Sequence, residues 1–336
     1  MNDQNFTNIK KFTILLGKSF VQYLQWLNLV LIILIGLVGY YFPRSEQDIA
    51  LSRIEIAQLF MLAGDSNQAV KTLSQIHSVP LLNAELLGKI GSIYSQAGDN
   101  TKAIDIYKIA VSKDPQNLLL KSNLAESYAN SGNTIEAIYH YLDLVNKRPD
   151  QISYLIKIGQ LYRKLEDYDH AIEFFENARR VDPLSWQPKF YLGEIYRLKR
   201  QFKESIDMYA EVLETNPKII DAHLLIGMNY LEMGDTTRAL EWFAKASDMA
   251  PQNHIAYYYL GLGYFNRGDY DYSLEYAQRA LLLQENYQQA RLLIGQILLL
   301  KGDCSGAIRE FIVVLNSNPR NNEALDGLAA CKGTKR

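Results

Sequence analysis

Proline spacing is the feature that most constrains how this chain of 336 residues can fold. Five prolines follow one another at intervals of 34 residues, and a sixth lies two further intervals on: Pro115, Pro149, Pro183, Pro217, Pro251 and Pro319. A fixed period of roughly 20 to 50 residues is typical of repeat proteins, in which each unit buries its apolar face against the next unit. With 48% hydrophobic residues, the chain has enough apolar surface for such a continuous core.

Each period contains the pattern of two antiparallel helices. In the second period Leu87, Ile90, Gly91 and Tyr94 fall at the spacing of one helical stripe. Gly98-Asp99 follows, where the glycine suits a tight turn and the aspartate suits the start of the next helix. The unit is therefore predicted to be a helix-turn-helix hairpin, and Gly91 is predicted to lie where the facing helix comes close.

When the chain is aligned on this period, the residues that recur at equivalent positions form columns. These columns resemble the pattern of the tetratricopeptide repeat family, which is Trp-x2-Leu-Gly-x2-Tyr followed by Ala-x3-Phe, Ala and Pro. The second repeat carries it as Ala84, Leu87, Gly91, Tyr94, Ala103, Tyr107, Ala110 and Pro115. The resemblance covers residues 50–321, with repeat starts at Ala50, Ala84, Leu118, Ile152, Trp186, Ile220, His254 and Gln288. It implies an all-α fold, a right-handed superhelical solenoid of about eight helix-turn-helix repeats, with a C-terminal capping helix and tail at residues 322–336.

Residues 19–43 are predicted to form a transmembrane helix. This stretch has no charged side chain, and its centre from Leu29 to Val38 is apolar throughout, which is long enough to cross a bilayer. Tyr23 and Trp26 stand before the centre, where aromatic side chains prefer to lie at a membrane interface. The alternative is a cleaved signal peptide, which the long charged segment before the apolar run disfavours.

Basic residues indicate the topology of this span. Lys10, Lys11 and Lys18 precede it and Arg44 follows it, and positively charged flanks favour the cytoplasmic side. Residues 1–18 are therefore predicted to be the cytoplasmic segment of a single-pass protein of a bacterial inner membrane, with the repeats in the periplasm. Polar and small residues within the span are also compatible with association of two membrane helices.

The sequence carries no recognisable catalytic motif. Its five histidines show no HxxxH or HExxH spacing, and it has no GxSxG or Walker pattern. Many of the 23 tyrosines fall in two repeat columns, where they are predicted to pack in the core. A net charge of −2 offers no basic surface for nucleic acid. We predict a protein that catalyses nothing, holds no cofactor or metal and does not bind nucleic acid.

In the family that the repeats resemble, a fixed set of positions on each first helix lines a groove for peptide segments. These positions are polar and mixed in charge in repeats two to five. In repeats six to eight they are apolar: Leu224, Met228, Leu231, Ile255, Tyr258, Leu262, Phe265, Leu292, Leu299 and Leu300. We predict that this apolar part binds an apolar segment of a partner protein or peptide, for which a helix is one candidate. The alternative is that these side chains only pack between adjacent repeats or under the final helix.

Cys304 and Cys331 are the two cysteines of the chain, at the start of the eighth repeat's second helix and at the end of the last helix. Antiparallel packing of these helices would bring the two side chains near each other. They could form one disulfide in an oxidising compartment, or they could be two independent small apolar side chains.

Three functions fit a membrane-anchored repeat array without catalytic residues. The first is an assembly scaffold at the outer face of the inner membrane. The second is a homo-oligomeric structural protein that binds its own repeats or membrane helix. The third is a subunit that recruits substrate to a separate enzyme or export complex.

Overall fold

The computed structural model describes residues 45–77 and 79–333, together with Val30. Within these residues the chain forms seventeen α-helices, one short 3₁₀ helix and no strand. The predicted all-α class is confirmed. The chain divides into two compact units, Met1–Leu161 and Tyr162–Arg336, and each is described by itself.

The first unit contains helices α1 to α6 and most of α7. Their bounds are, in order, Glu46–Leu62, Ser66–Leu73, Ala84–Gln96, Asn100–Lys113, Leu118–Asn130, Thr134–Lys147 and Ile152–Lys164. A 3₁₀ helix at Val79–Leu81 separates α2 from α3. Helix α1 packs on α2, α3 on α4 and α5 on α6, so the unit is built from successive hairpins.

The second unit contains the end of α7 and helices α8 to α17. The bounds of α8 to α17 are, in order, Tyr168–Val181, Trp186–Leu198, Phe202–Thr215, Ile220–Glu232, Thr236–Met249, His254–Arg267, Tyr270–Leu283, Gln288–Leu300, Cys304–Ser317 and Asn322–Gly333. Hairpins form between α9 and α10, α11 and α12, α13 and α14, and α15 and α16. The last helix, α17, packs on both α15 and α16.

The hairpin turns follow from local sequence and from packing. After α3, Gly98 takes a left-handed φ of 83°, which glycine adopts without steric cost. The Asp99 side chain then accepts a hydrogen bond from the backbone N–H of Lys102 and caps α4. Arg200, between α9 and α10, holds a φ of 58° at the same place in its hairpin. Packing of α9 on α10 therefore imposes the turn even where the sequence provides no glycine.

The first hairpin departs from the others. Helix α1 begins at Glu46, four residues before the predicted repeat start at Ala50, because Ser45 and Asp48 form a reciprocal capping box. Helix α2 has only 8 residues, whereas α4 has 14. Pro80 lies in the 3₁₀ helix that follows.

A glycine of the first helix lies against an aromatic ring of the second in several hairpins. A Cβ added at Gly91 would lie 2.8 Å from the Tyr107 ring, and one at Gly227 would lie 2.5 Å from the Phe243 ring. Both rings are buried. The close approach predicted from the recurring glycine is confirmed, and the aromatic ring of the second helix fills the space that the glycine leaves.

The two tyrosine columns differ in burial. Tyr107, Tyr141 and Tyr209 on second helices are at most 2% exposed, which confirms the prediction that they pack in the core. On first helices Tyr94 is buried, whereas Tyr128 is only partly buried and stacks on His140 with ring centroids 5.2 Å apart. The hairpin interior thus holds the second column, and the first column lies at its edge.

Apart from Val30, the predicted transmembrane helix at residues 19–43 lies outside the described residues. Among the helices of the described part of the chain, none combines the length and the apolar character that a bilayer span needs. The membrane span therefore stays a prediction.

Candidate functional site

The predicted partner-binding residues lie on the first helices of three successive hairpins in the second unit. Helix α11 contacts α13, α13 contacts α15, and α15 contacts α17, so these helices lie side by side. We call the apolar residues on α11, α13 and α15 the C-terminal surface. Its members are Leu224, Met228 and Leu231 on α11, Ile255, Tyr258, Leu262 and Phe265 on α13, and Leu292, Leu299 and Leu300 on α15.

Two predicted members of the C-terminal surface belong to the core. Leu224 is 3% exposed and Leu292 is 8% exposed. Leu224 packs in one cluster with Phe243 and Leu260. Leu292 packs with Phe311, beneath α17. Their placement in an exposed groove was wrong, because neighbouring helices cover both side chains.

Tyr258, Leu262 and Phe265 are partly buried by the next hairpin. All three pack against a cluster that includes Leu293 and Ile297 of α15. The alternative of packing between adjacent repeats therefore accounts for part of their surface. A further part of each side chain stays accessible to solvent, so each has a face that a partner can contact.

The Tyr258 ring lies at the centre of an aromatic contact. Its centroid is 5.2 Å from that of Tyr259 and 5.4 Å from that of Tyr287. Burial raises the pKa of Tyr258 to about 12, and the nearby Tyr259 and Glu323 act in the same direction. Since Glu323 belongs to α17, the start of the last helix lies near this tyrosine.

The most exposed apolar residue of the C-terminal surface is Leu300, with 57% of its surface accessible. Two further exposed residues, Met233 after α11 and Leu325 on α17, were missed by the sequence reasoning. Met233 lies one place beyond the helix positions considered, and Leu325 lies on the last helix, which carries no repeat pattern. Leu325 therefore adds an exposed apolar side chain on α17, the helix that packs on α15.

A separate groove of about 430 Å³ lies between α1 and α3 in the first unit. Its lining includes Gln58, Met61 and Leu62 from α1 and Ser92 and Gln96 from α3. Leu62 is 83% exposed. Ser92 and Gln96 belong to the polar groove positions that the sequence predicts for repeats two to five. The apolar contribution of α1 was missed because the first repeat departs from the family pattern.

Polar groove positions of the first unit are held by internal contacts. Glu126 accepts hydrogen bonds from the Tyr141 hydroxyl at 2.6 Å and from Lys157 Nζ at 2.9 Å. Burial acts to raise the pKa of Glu126, but these two donors hold it below the ordinary value. Burial, together with this carboxylate, raises the pKa of Tyr141 far above its usual range.

An ion pair occupies the same kind of position in the second unit. Arg163 Nη1 donates to Glu194 Oε2 at 2.9 Å. Burial raises the pKa of the Glu194 carboxyl, and Arg163 and Arg197 oppose this effect. Arg163 and Glu194 are therefore two polar groove positions that pair with each other, so part of the polar groove is engaged in contacts within the protein.

Within residues 45–77 and 79–333, no three histidine, cysteine, aspartate or glutamate side chains come close enough together to hold a metal ion. The titratable groups with shifted pKa values described above lie in ion pairs and aromatic contacts.

Comparison with known proteins agrees with this architecture. Two family models described as tetratricopeptide repeat match residues 86–119 and residues 156–218, 224–288 and 262–315, which together make up more than half of the chain. No curated protein matches the sequence. A tetratricopeptide repeat protein from Parabacteroides merdae ATCC 43184 has a similar structure, with a TM-score of 0.60 and 19% identity over 74% of this chain and 98% of that one.

The structure of PilW, described as a widely conserved type IV pilus biogenesis factor, is also similar. Its TM-score is 0.55, with 21% identity over 63% of this chain and 99% of that one. At these identities the likeness concerns the fold. The repeat columns, the helical hairpins and the family models agree, and the chain belongs to the tetratricopeptide repeat family.

Proposed function

We propose that this protein is a membrane-anchored, non-catalytic scaffold that binds an apolar, helical segment of a partner protein on its C-terminal surface. The observation that carries the proposal is the row of Leu231, Phe265 and Leu299, one from each of three adjacent first helices, beside the exposed Leu300. Partly exposed apolar residues in such a row favour a contact with another chain, because soluble surfaces rarely keep contiguous apolar patches without use.

The geometry of the row suits a helical partner. Helices α11, α13 and α15 lie side by side, so equivalent positions on them form a line that crosses all three. An amphipathic helix presents its apolar side chains as a stripe and can lay that stripe along such a line. Phe265 and Tyr258 supply aromatic contact area, which contributes strongly at interfaces.

The proposed anchor is the apolar stretch at residues 19–43, with the repeats on the periplasmic side of a bacterial inner membrane. Its support is the absence of charge over that stretch and the lysines that precede it. A homo-oligomer and a substrate-recruiting subunit of an enzyme or export complex are the competing functions, and the nature of the bound partner separates them.

Site-specific photocrosslinking tests the binding proposal. A photoreactive amino acid at Leu300 should yield a discrete crosslinked product in intact cells. The same amino acid at Leu282, a leucine of α14 that is 86% exposed, should not yield that product. Leu300→Asp should abolish co-purification of the crosslinked partner, whereas Leu282→Asp should leave it unchanged. Equal products from both positions, or a Leu300→Asp variant that retains the partner, would contradict the proposal.

The identity of the crosslinked product separates the three functions. A second copy of this chain indicates the homo-oligomer, an enzyme subunit indicates recruitment, and a membrane assembly component indicates the scaffold. Carbonate extraction of the full chain, compared with a variant lacking residues 1–44, tests the anchor. Release of the full chain into the soluble fraction would contradict it, and a topology reporter fused after Arg336 tests the periplasmic location.

A further inference from the structure

The two cysteines of the chain lie against each other at the C-terminal end of the second unit. Cys304 is the first residue of α16, and Cys331 lies near the end of α17. The Cys304 Sγ lies 4.0 Å from the carbonyl oxygen of Cys331, and the Cys331 Sγ lies 3.7 Å from the carbonyl oxygen of Cys304. These reciprocal contacts bring each sulfur atom to the backbone of the other cysteine, so the two side chains lie on facing sides of α16 and α17.

Close packing of α17 on α16 holds this arrangement in place. Gly327 of α17 lies on the Phe311 ring of α16, where an added Cβ would lie 2.3 Å from a ring carbon. Phe311, Ala324 and Cys331 belong to one buried cluster. Cys331 is 1% exposed, whereas Cys304 is partly accessible. A small oxidant can therefore reach Cys304 first.

We propose that Cys304 and Cys331 form a reversible disulfide that fastens the last helix to the array. A disulfide of the glutathione class is the oxidant. The Cys304 thiolate attacks it, its sulfur–sulfur bond breaks, and one glutathione leaves as the thiolate. The Cys331 thiolate then attacks the Cys304 sulfur of the mixed disulfide and releases the second glutathione. The protein loses two protons and two electrons, and the oxidant becomes two molecules of reduced glutathione.

Burial supports the order of the two steps. It raises the pKa of the Cys331 thiol to about 11, with the neighbouring Cys304 acting in the same direction. Because the thiolate is the nucleophile, a thiol with a raised pKa reacts poorly with the glutathione disulfide in the first step. It becomes effective in the second step because the mixed disulfide on Cys304 lies directly beside it.

The consequence of the disulfide concerns the C-terminal surface. Helix α17 packs on α15, which carries Leu299 and Leu300, and its Glu323 lies near Tyr258. Fastening α17 would therefore fix one border of that surface. The disulfide itself does not depend on the binding proposal, and its test requires no partner.

Mass spectrometry and hydrogen exchange of the full chain in detergent test the inference. In oxidised glutathione without denaturant, the intact mass should fall by two hydrogens, and a maleimide should no longer label either cysteine. Exchange of the α17 amides should slow by about tenfold or more, because the bond restricts opening of this helix. Exchange in α9 and α10 should stay unchanged.

Cys304→Ser is the matched control, since it removes the partly accessible sulfur and leaves the buried one. In oxidised glutathione its α17 amides should exchange as in the reduced wild type. Three results would overturn the inference: two cysteines that maleimide still labels after equilibration, mixed disulfides with glutathione as the only product, or an intramolecular disulfide that leaves α17 exchange unchanged.

Discussion

Replacement of Gly227 by alanine tests whether the glycine column of the first helices is required by packing. A Cβ at this position would lie 2.5 Å from Cε1 of Phe243. Carbon atoms in contact prefer a separation of about 3.5 to 4.0 Å, so the ring would have to move by about 1 Å. The ring also stacks on Tyr259 with centroids 5.5 Å apart. It also lies near Gly263, where an added Cβ would be 3.3 Å from it.

The free energy of this change follows from two opposing effects. Overpacking a buried site destabilises by about 1 to 3 kcal/mol. Alanine in a helix interior stabilises by about 1 kcal/mol relative to glycine. The difference between these two effects is a net destabilisation of about 0 to 2 kcal/mol. Since the Phe243 ring is fully buried and lies between Gly227 and Gly263, it has little room to move, and we expect the upper half of that range, about 1 to 2 kcal/mol.

A double-mutant cycle makes the prediction specific. Phe243→Ala removes all three ring atoms that the new Cβ would meet, so in that background Gly227→Ala should be neutral or stabilising by up to about 1 kcal/mol. Urea unfolding followed through the adjacent Trp242, together with hydrogen exchange in α11 and α12, measures the effect locally, because repeat arrays unfold in parts. Additive effects, or an unchanged stability of Gly227→Ala alone, would refute the packing argument.

Three further changes test other parts of the fold. His223 is 1% exposed and its pKa is lowered by burial, so the unfolded chain binds more protons once the pH falls below the ordinary value of 6.5. The free energy of unfolding, measured in urea, should therefore fall as the pH is lowered below this value, and His223→Gln should make the fall smaller. The same dependence on pH in the variant and the wild type would contradict this. Ser205→Ala leaves the buried Asn229 Nδ2 without its acceptor and should lower the free energy of unfolding by about 1 to 3 kcal/mol. Ser273→Ala loses only a hydrogen bond to a backbone carbonyl and should cost less. Equal losses on urea unfolding would contradict a stabilising role for the Ser205–Asn229 hydrogen bond. Gly98→Ala forces a left-handed φ of 83° on an alanine and should destabilise the first unit by about 1 to 2 kcal/mol. Thermal unfolding measures this loss, and a variant as stable as the wild type would contradict a requirement for glycine in this turn.

The candidate site was only partly predictable from sequence. Apolar groove positions in the last repeats could be identified because each column recurs at a fixed interval. The sequence could not show which of these residues stay accessible to solvent, because exposure depends on how closely the first helix of the next hairpin approaches. Leu224 and Leu292 are covered by neighbouring helices, whereas Leu300 is exposed beside Leu299. The groove between α1 and α3 was missed because it depends on the position of α1 relative to α3.

The proximity of Cys304 and Cys331 was expected from the antiparallel order of the last helices, and the structure confirms it. The distance between their sulfur atoms and the facing carbonyl groups could not be inferred. It depends on the close contact of Gly327 with Phe311, which sets how far the end of α17 lies from the start of α16.

The all-α class, the hairpin unit and the close approach of the two helices at the recurring glycine follow from the sequence alone. These features depend on residues close together in the chain, so their signals recur with the 34-residue period. The left-handed turn at Arg200, the burial of Leu224 and Leu292 and the exposure of Leu300 depend instead on tertiary packing. Each of these is a property of helices packed against one another, and the separation between packed helices is set by all of their side chains together rather than by any one column.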